Sequence, residues 1–264
     1  MPKPGQIWDP EFLEKSPLLR RFECVAAEFA KHSGWPTLEA YADLAEARRQ
    51  RLAPELLSVQ FVKPEPKRQR APKTEPIDIG KLYDGRIALH REVPCLAECF
   101  HDLFNVLAWS AFPRAKRTLH ARQYRALTGW IECGATRLPG RRTREQDALT
   151  VFDEGGSVVV LSEAVYARWR ESVAAGVSGV CLEDAACVLF GHALMEHVLH
   201  GLPTVRSSAV VLVSNEPRTG LGLLDWLDER IAERLAQATQ FQAPGADSVV
   251  TISQSGELTL GVPG

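Results

Sequence analysis

The chain has 264 residues, 45% hydrophobic and 24% charged, with 31 Lys+Arg against 33 Asp+Glu. This is the make-up of a globular protein long enough to bury a sizeable core, and it excludes global disorder, a collagen-like repeat and a coiled coil. No apolar run approaches the roughly 18 residues of a membrane span, residues 1–15 lack a signal-like apolar stretch, and six cysteines suit a reducing, cytoplasmic setting.

Residues 10–32 carry apolar positions at helical spacing and stop at Gly34-Trp35-Pro36, and a second helix follows over 37–50. Residues 63–76 contain four prolines and five basic residues without periodicity, which reads as an irregular loop. Residues 83–88 suggest a turn and short strand leading to Pro94. A long helical stretch over 95–112 is interrupted at Pro113 and resumes over 114–130, before an Arg-rich loop at 134–146. Residues 148–152 and 157–161 flank Asp153-Glu154-Gly155-Gly156 and read as a β-hairpin with Asp153 and Glu154 as solvated turn residues. Helices are expected over 162–174, 183–200 and 221–240, a buried strand over 209–213, and a strand pair over 248–262 around Ser255-Gly256. The sum is an α+β fold: one predominantly helical domain over 1–264 with a small antiparallel sheet.

The net charge of −2 hides three bands. Residues 1–113 are balanced at sixteen basic and sixteen acidic residues. Residues 114–144 hold nine basic residues against Glu132 alone, and residues 145–264 hold six against sixteen acids. The basic band can meet phosphates or the protein's own acidic band at residues 145–264. An acidic chain overall favours the second, so nucleic acid is admitted as a partner without being preferred.

The polar residues in costly places lie on two apolar stretches. At 100° per residue, His192 and Glu196 share one stripe with Val188, Met195 and Leu199, and His101 and Asn105 share a face with Phe104, Ala108 and Phe112. A helix apolar on both sides is buried. A carboxylate within it must then be paired, protonated or bound to a cation. His192-x3-Glu196-His197 matches neither HExxH nor HxxEH. A His/Glu pair at i,i+4 can still ligate one ion from one face. His101 or Asp102 would complete a set suited to Zn, Mn or Fe. The chain has no P-loop, GxGxxG or GxSxG, which argues against a nucleotide-binding fold and an α/β-hydrolase.

Five segments recur in order: YDGRIALHREVPC at 83–95, HDLFNVLAWSAFPRAKRTLHARQ at 101–123, RTREQDALTVFDEGG at 142–156, FGHALMEH at 190–197 and LTLGVPG at 258–264. Together they resemble an uncharacterised, mostly proteobacterial family filed as domain of unknown function 3025. The resemblance implies one continuous domain and carries no activity. The leading expectation is a metal-assisted hydrolase with its site between the HDLFN and FGHALMEH helices. His101, Asp102, His192 and Glu196 would be catalytic, with a divalent metal as cofactor. Asn105, Arg141, Arg142 and Arg144 would hold an anionic, phosphate-bearing substrate. The rival expectation is a non-catalytic binding module that offers the 114–144 band to nucleic acid or an acidic protein partner. No membrane partner is expected.

Overall fold

The computed structural model describes residues 5–64, 75–177, 180–182, 184–243, 248–253 and 255–261, so the loop expected over 63–76 lies largely outside the described residues. A 3-10 turn at Phe12–Lys15 and α1 (Pro17–Arg20) lead into α2 (Glu23–Ala30). Thr37 then caps α3 (Leu38–Leu52), its hydroxyl accepting from the Ala40 N–H. Strand β1 (Gln60–Val62) pairs in parallel with β2 (Glu92–Pro94). Between them α4 (Tyr83–Gly85) runs into a π-type turn at Arg86–His90, where the sequence suggested a turn and strand.

Helix α5 (Phe100–Ala111) is the central element, with eleven of its twelve residues buried. Its successor α6 (Pro113–Trp130) begins on a proline, whose missing N–H is unneeded in a first turn. The order then runs α7 (Arg144–Gly155), β3 (Gly156–Leu161), α8 (Glu163–Ala174), β4 (Val180–Leu182), β5 (Ala186–Leu189) and α9 (His192–Leu199). It closes with β6 (Thr204–Val213), α10 (Gly220–Ala236), β7 (Ser248–Ser253) and β8 (Leu258–Leu260). Six strands form one sheet in the order β4-β8-β7-β6-β3-β5. The fold is α+β, and the sheet is mixed rather than purely antiparallel, because β3 and β6 run parallel. No helix of the described residues is long and apolar enough to cross a membrane, and all six cysteines are free.

Two expectations are corrected. The 148–161 hairpin does not exist: residues 144–155 are helical, and only Gly156 onward is strand. A capping box decides this. Thr143 accepts from the Gln146 N–H while the Gln146 side chain accepts from the Thr143 N–H, which starts a helix two residues after the Arg pair. The 183–200 helix is likewise two elements, β5 and α9, separated at Phe190-Gly191.

This corrected order builds the site. Strand β3, between β6 and the edge strand β5, pairs antiparallel with β5, with Ser157 opposite Leu189. The last residues of α7 therefore lie across from the first residues of α9. Phe190 and Gly191 both donate N–H bonds to the Gly156 carbonyl, at 2.9 and 2.8 Å. A Cβ on Gly191 would stand 2.4 Å from the Glu154 carbonyl oxygen, so only glycine lets these two helix ends approach so closely.

Candidate metal centre

Three helices converge on one group of side chains. Glu154 comes from the end of α7, His192 opens α9, and His101 is the second residue of α5, which packs on α9. His101, Glu154 and His192 each offer a ligand atom, and these three atoms lie within 4.8 Å of one another. His192 Nε2 is 3.4 Å from Glu154 Oε2, and the His101 and His192 rings meet edge to face with centroids 4.6 Å apart.

The surroundings prepare these groups. His101 Nδ1 lies 3.0 Å from Glu196 Oε2, so the carboxylate draws the ring proton to Nδ1 and leaves the Nε2 lone pair free. Glu196 also stands 3.7 Å from His200 Nε2 through its other oxygen. His192 is buried, and that burial, reinforced by Lys116 and His101 against the pull of Asp153, lowers its pKa to about 3. Its ring is thus neutral at physiological pH, the form that ligates metal. His192 Nδ1 makes no hydrogen bond of normal geometry, and the Asp153 backbone carbonyl is the acceptor it approaches. Burial and the neighbouring Asp153 charge raise the pKa of Glu154, so its anion lacks compensation, although its side chain is 46% exposed. A cation would supply that compensation. A cavity of about 510 Å³ lies beside His200, the partner of Glu196, and is lined by Trp8, Phe100 and Leu199 among others; none of the three donors lines it.

A second polar network lies against the first. Lys116, fully buried on α6, donates to Asp153 Oδ1 at 2.5 Å and Asn105 Oδ1 at 3.1 Å. His120 Nδ1 is 3.1 Å from Asp84 Oδ1, and its Nε2 is 3.9 Å from Asp153 Oδ2. Burial opposes ionisation of Asp153, but Lys116, His120 and His192 outweigh it and hold the carboxyl below the usual range. Asp153 is therefore a buried anion that ties the network to the neighbouring Glu154.

Of the residues singled out from sequence, His101, His192 and Glu196 come together. Asp102 turns to the preceding loop, where it accepts the Leu96 N–H at 2.6 Å. Asn105 belongs to the Lys116 network and donates to Tyr83 Oη at 3.4 Å. Arg141 and Arg144 are exposed at the start of α7. Arg142 reaches back along that helix to Thr150 Oγ1 at 3.3 Å, one turn before Glu154, whose charge it stabilises. Sequence reasoning missed the role of Glu154 and the helical place of Asp153, and it missed Lys116 and His120. The signal for the first two was the Thr143-x-x-Gln146 capping box, which would have made residues 144–155 a helix with both acids at its end.

A family model described as Protein of unknown function (DUF3025) matches residues 72–249, which contain the whole cluster. No curated protein and no solved structure matches the chain.

Proposed function

Since the chain belongs to this family, whose description assigns no activity, we propose on the geometry that it is a metal-dependent hydrolase of a small anionic, phosphate-bearing substrate. His101, His192 and Glu154 are its metal donors. The observation that carries the reading is the approach of two imidazoles and a carboxylate to within 4.8 Å, with His101 already oriented by Glu196. Two histidines and one glutamate form a donor set of catalytic zinc, and two histidines with one carboxylate also suit iron(II). A divalent ion there would act as a Lewis acid and lower the pKa of a water it binds.

The chain's own groups do the rest. Neutral His192 is available without losing a proton. Glu196 fixes the tautomer and ring orientation of His101. The half-exposed Glu154 leaves one side of the site open to substrate. Arg142, leaning along α7 toward Glu154, supplies a positive charge on that side. Arg144 is exposed in the first turn of the same helix. Asp102 and Asn105 position backbone and buried lysine rather than substrate.

Metal analysis of the purified protein, followed by titration of the metal-free form with Zn, Mn and Fe(II), tests the proposal. About one equivalent of divalent metal is expected, lost in His192→Ala and His101→Ala. A wild-type protein that takes up none of the three ions would overturn it. If metal is bound, hydrolysis of p-nitrophenyl phosphate that depends on Arg142 separates the hydrolase reading from other metal chemistry.

A further inference from the structure

A second site lies on the opposite side of the Lys116–His120 network from the metal donors, formed by one face of α6. Arg117, Ala121, Tyr124 and Arg125, at i, i+4, i+7 and i+8, line a cavity of about 480 Å³ together with Ile87 and Trp109. That volume falls in the range of small-molecule sites.

The arginines of α6 divide sharply between its faces. Arg114 is near Asp228 and Glu55, and Arg122 binds Glu145 and three backbone carbonyls. Arg117 and Arg125, which face the cavity, have no ion pair among the described residues, and no acid lines the cavity. Arg117 Nη2 and Trp109 Nε1 are both buried without a hydrogen-bond partner among the described residues. Both are obligate donors, so what they lack is an acceptor. Glu46 lines a small recess behind Trp109 and Arg117, but it is committed to Arg49, Gln50 and Ser58. Arg91 and Arg49 add positive charge around Arg117. Leaving a buried guanidinium N–H unsatisfied is costly, and buried polar groups in folded proteins nearly always find a partner.

We propose that this cavity binds a small organic anion, a phosphate or carboxylate carried on an apolar body. Arg117, with the exposed Arg125 at the rim, attracts the charged head, and Ile87, Ala121 and Tyr124 contact the body. The site shares no residue with the metal donors and does not depend on the hydrolase reading. His120, which stacks on Trp109 with ring centroids 5.4 Å apart and lies 3.9 Å from Asp153, is the nearest structural link between the two.

Calorimetric titration of the metal-free full-length protein with phenyl phosphate, benzoate and benzyl alcohol tests this. At least one of the two anions should bind one to one, and the neutral alcohol should not. Which anion binds more tightly identifies the head group. Arg117→Gln should weaken binding about tenfold or more, as expected for a lost charge-assisted contact. Arg125→Gln, an exposed change that spares the fold, should weaken it by a smaller factor. His192→Ala should leave it unchanged, which separates this site from the metal centre. The proposal fails if neither anion binds at millimolar concentration, or if binding survives both arginine substitutions or disappears in His192→Ala.

Discussion

Glu154 and Glu196 show what a single carboxylate does in two settings. Sequence placed Glu196 in the site and left Glu154 as a solvated turn residue. The structure brings both to the histidines but in different roles: Glu154 faces His192 Nε2 at 3.4 Å, and Glu196 stands behind His101 at 3.0 Å. Removing a donor abolishes a metal bond, whereas removing the partner of a ligating histidine costs about 10–100-fold in affinity. Glu154→Gln is therefore expected to weaken metal binding more than Glu196→Gln, read by competition with a chelator. Equal losses, or a larger loss for Glu196→Gln, would reverse the assignment. His192 and Glu196 were legible because an i,i+4 polar pair on apolar residues is unusual wherever the segment sits. Glu154 was not, because its role depends on which residues β3 and β5 bring opposite each other, a non-local fact. Lys116 was illegible for the same reason: its partners Asn105 and Asp153 come from two other helices.

At the scale of elements, the misreadings have one cause. Short apolar runs do not distinguish helix from strand. Residues 186–199 are apolar nearly throughout, yet they bend from β5 into α9 at Gly191, where close packing on Glu154 forbids a side chain. The α5–α6 boundary was legible because Pro113 imposes it locally. What locks α6 in place was not. Asp228 of α10 accepts the Ala115 and Arg114 N–H groups at 2.9 and 3.2 Å, capping α6 from 113 and 114 residues away. Burial raises this carboxyl to about 7, against those two N–H bonds and the charges of Arg114 and Arg48. The folded value thus exceeds the unfolded value of about 4. The folded chain keeps a proton that the unfolded chain releases between these limits. The contribution to stability is fully present below pH about 4 and is lost as pH rises through about 7. Asp228→Asn lacks this titration, although it gives up one acceptor. Urea denaturation at pH 5 and pH 8 should show the stability difference moving in favour of the Asn variant at the higher pH. A difference independent of pH would argue that Asp228 stays ionised in the fold.

For the molecule as a whole, the question is where the basic band spends its charge. Part of it is spent internally. Arg114 is near Asp228, Lys116 binds Asp153 and Arg122 binds Glu145, so three of the nine basic residues of 114–144 meet acids of residues 145–264. Arg117 and Arg125 face the cavity beside α6. Arg141, Arg142 and Arg144 are exposed at the start of α7, and Arg137 is exposed in the loop before it. A polyanion would have to use this small group against the repulsion of sixteen acids in residues 145–264. Binding through phosphate contacts loses affinity steeply with salt, roughly one unit of logarithmic slope per contact. The triple substitution of Arg141, Arg142 and Arg144 by Gln is expected to shift stability by only about 0.5 kcal/mol, because among the described residues their single side-chain bond is that of Arg142 to Thr150. Filter binding of wild type to DNA and RNA at low and moderate salt should then show no tight, salt-sensitive complex for the triple variant to weaken. Submicromolar binding whose salt slope falls by about three units in that variant would instead make the start of α7 a nucleic-acid surface. It would favour recognition by the basic band over the proposed chemistry at His101, His192 and Glu154.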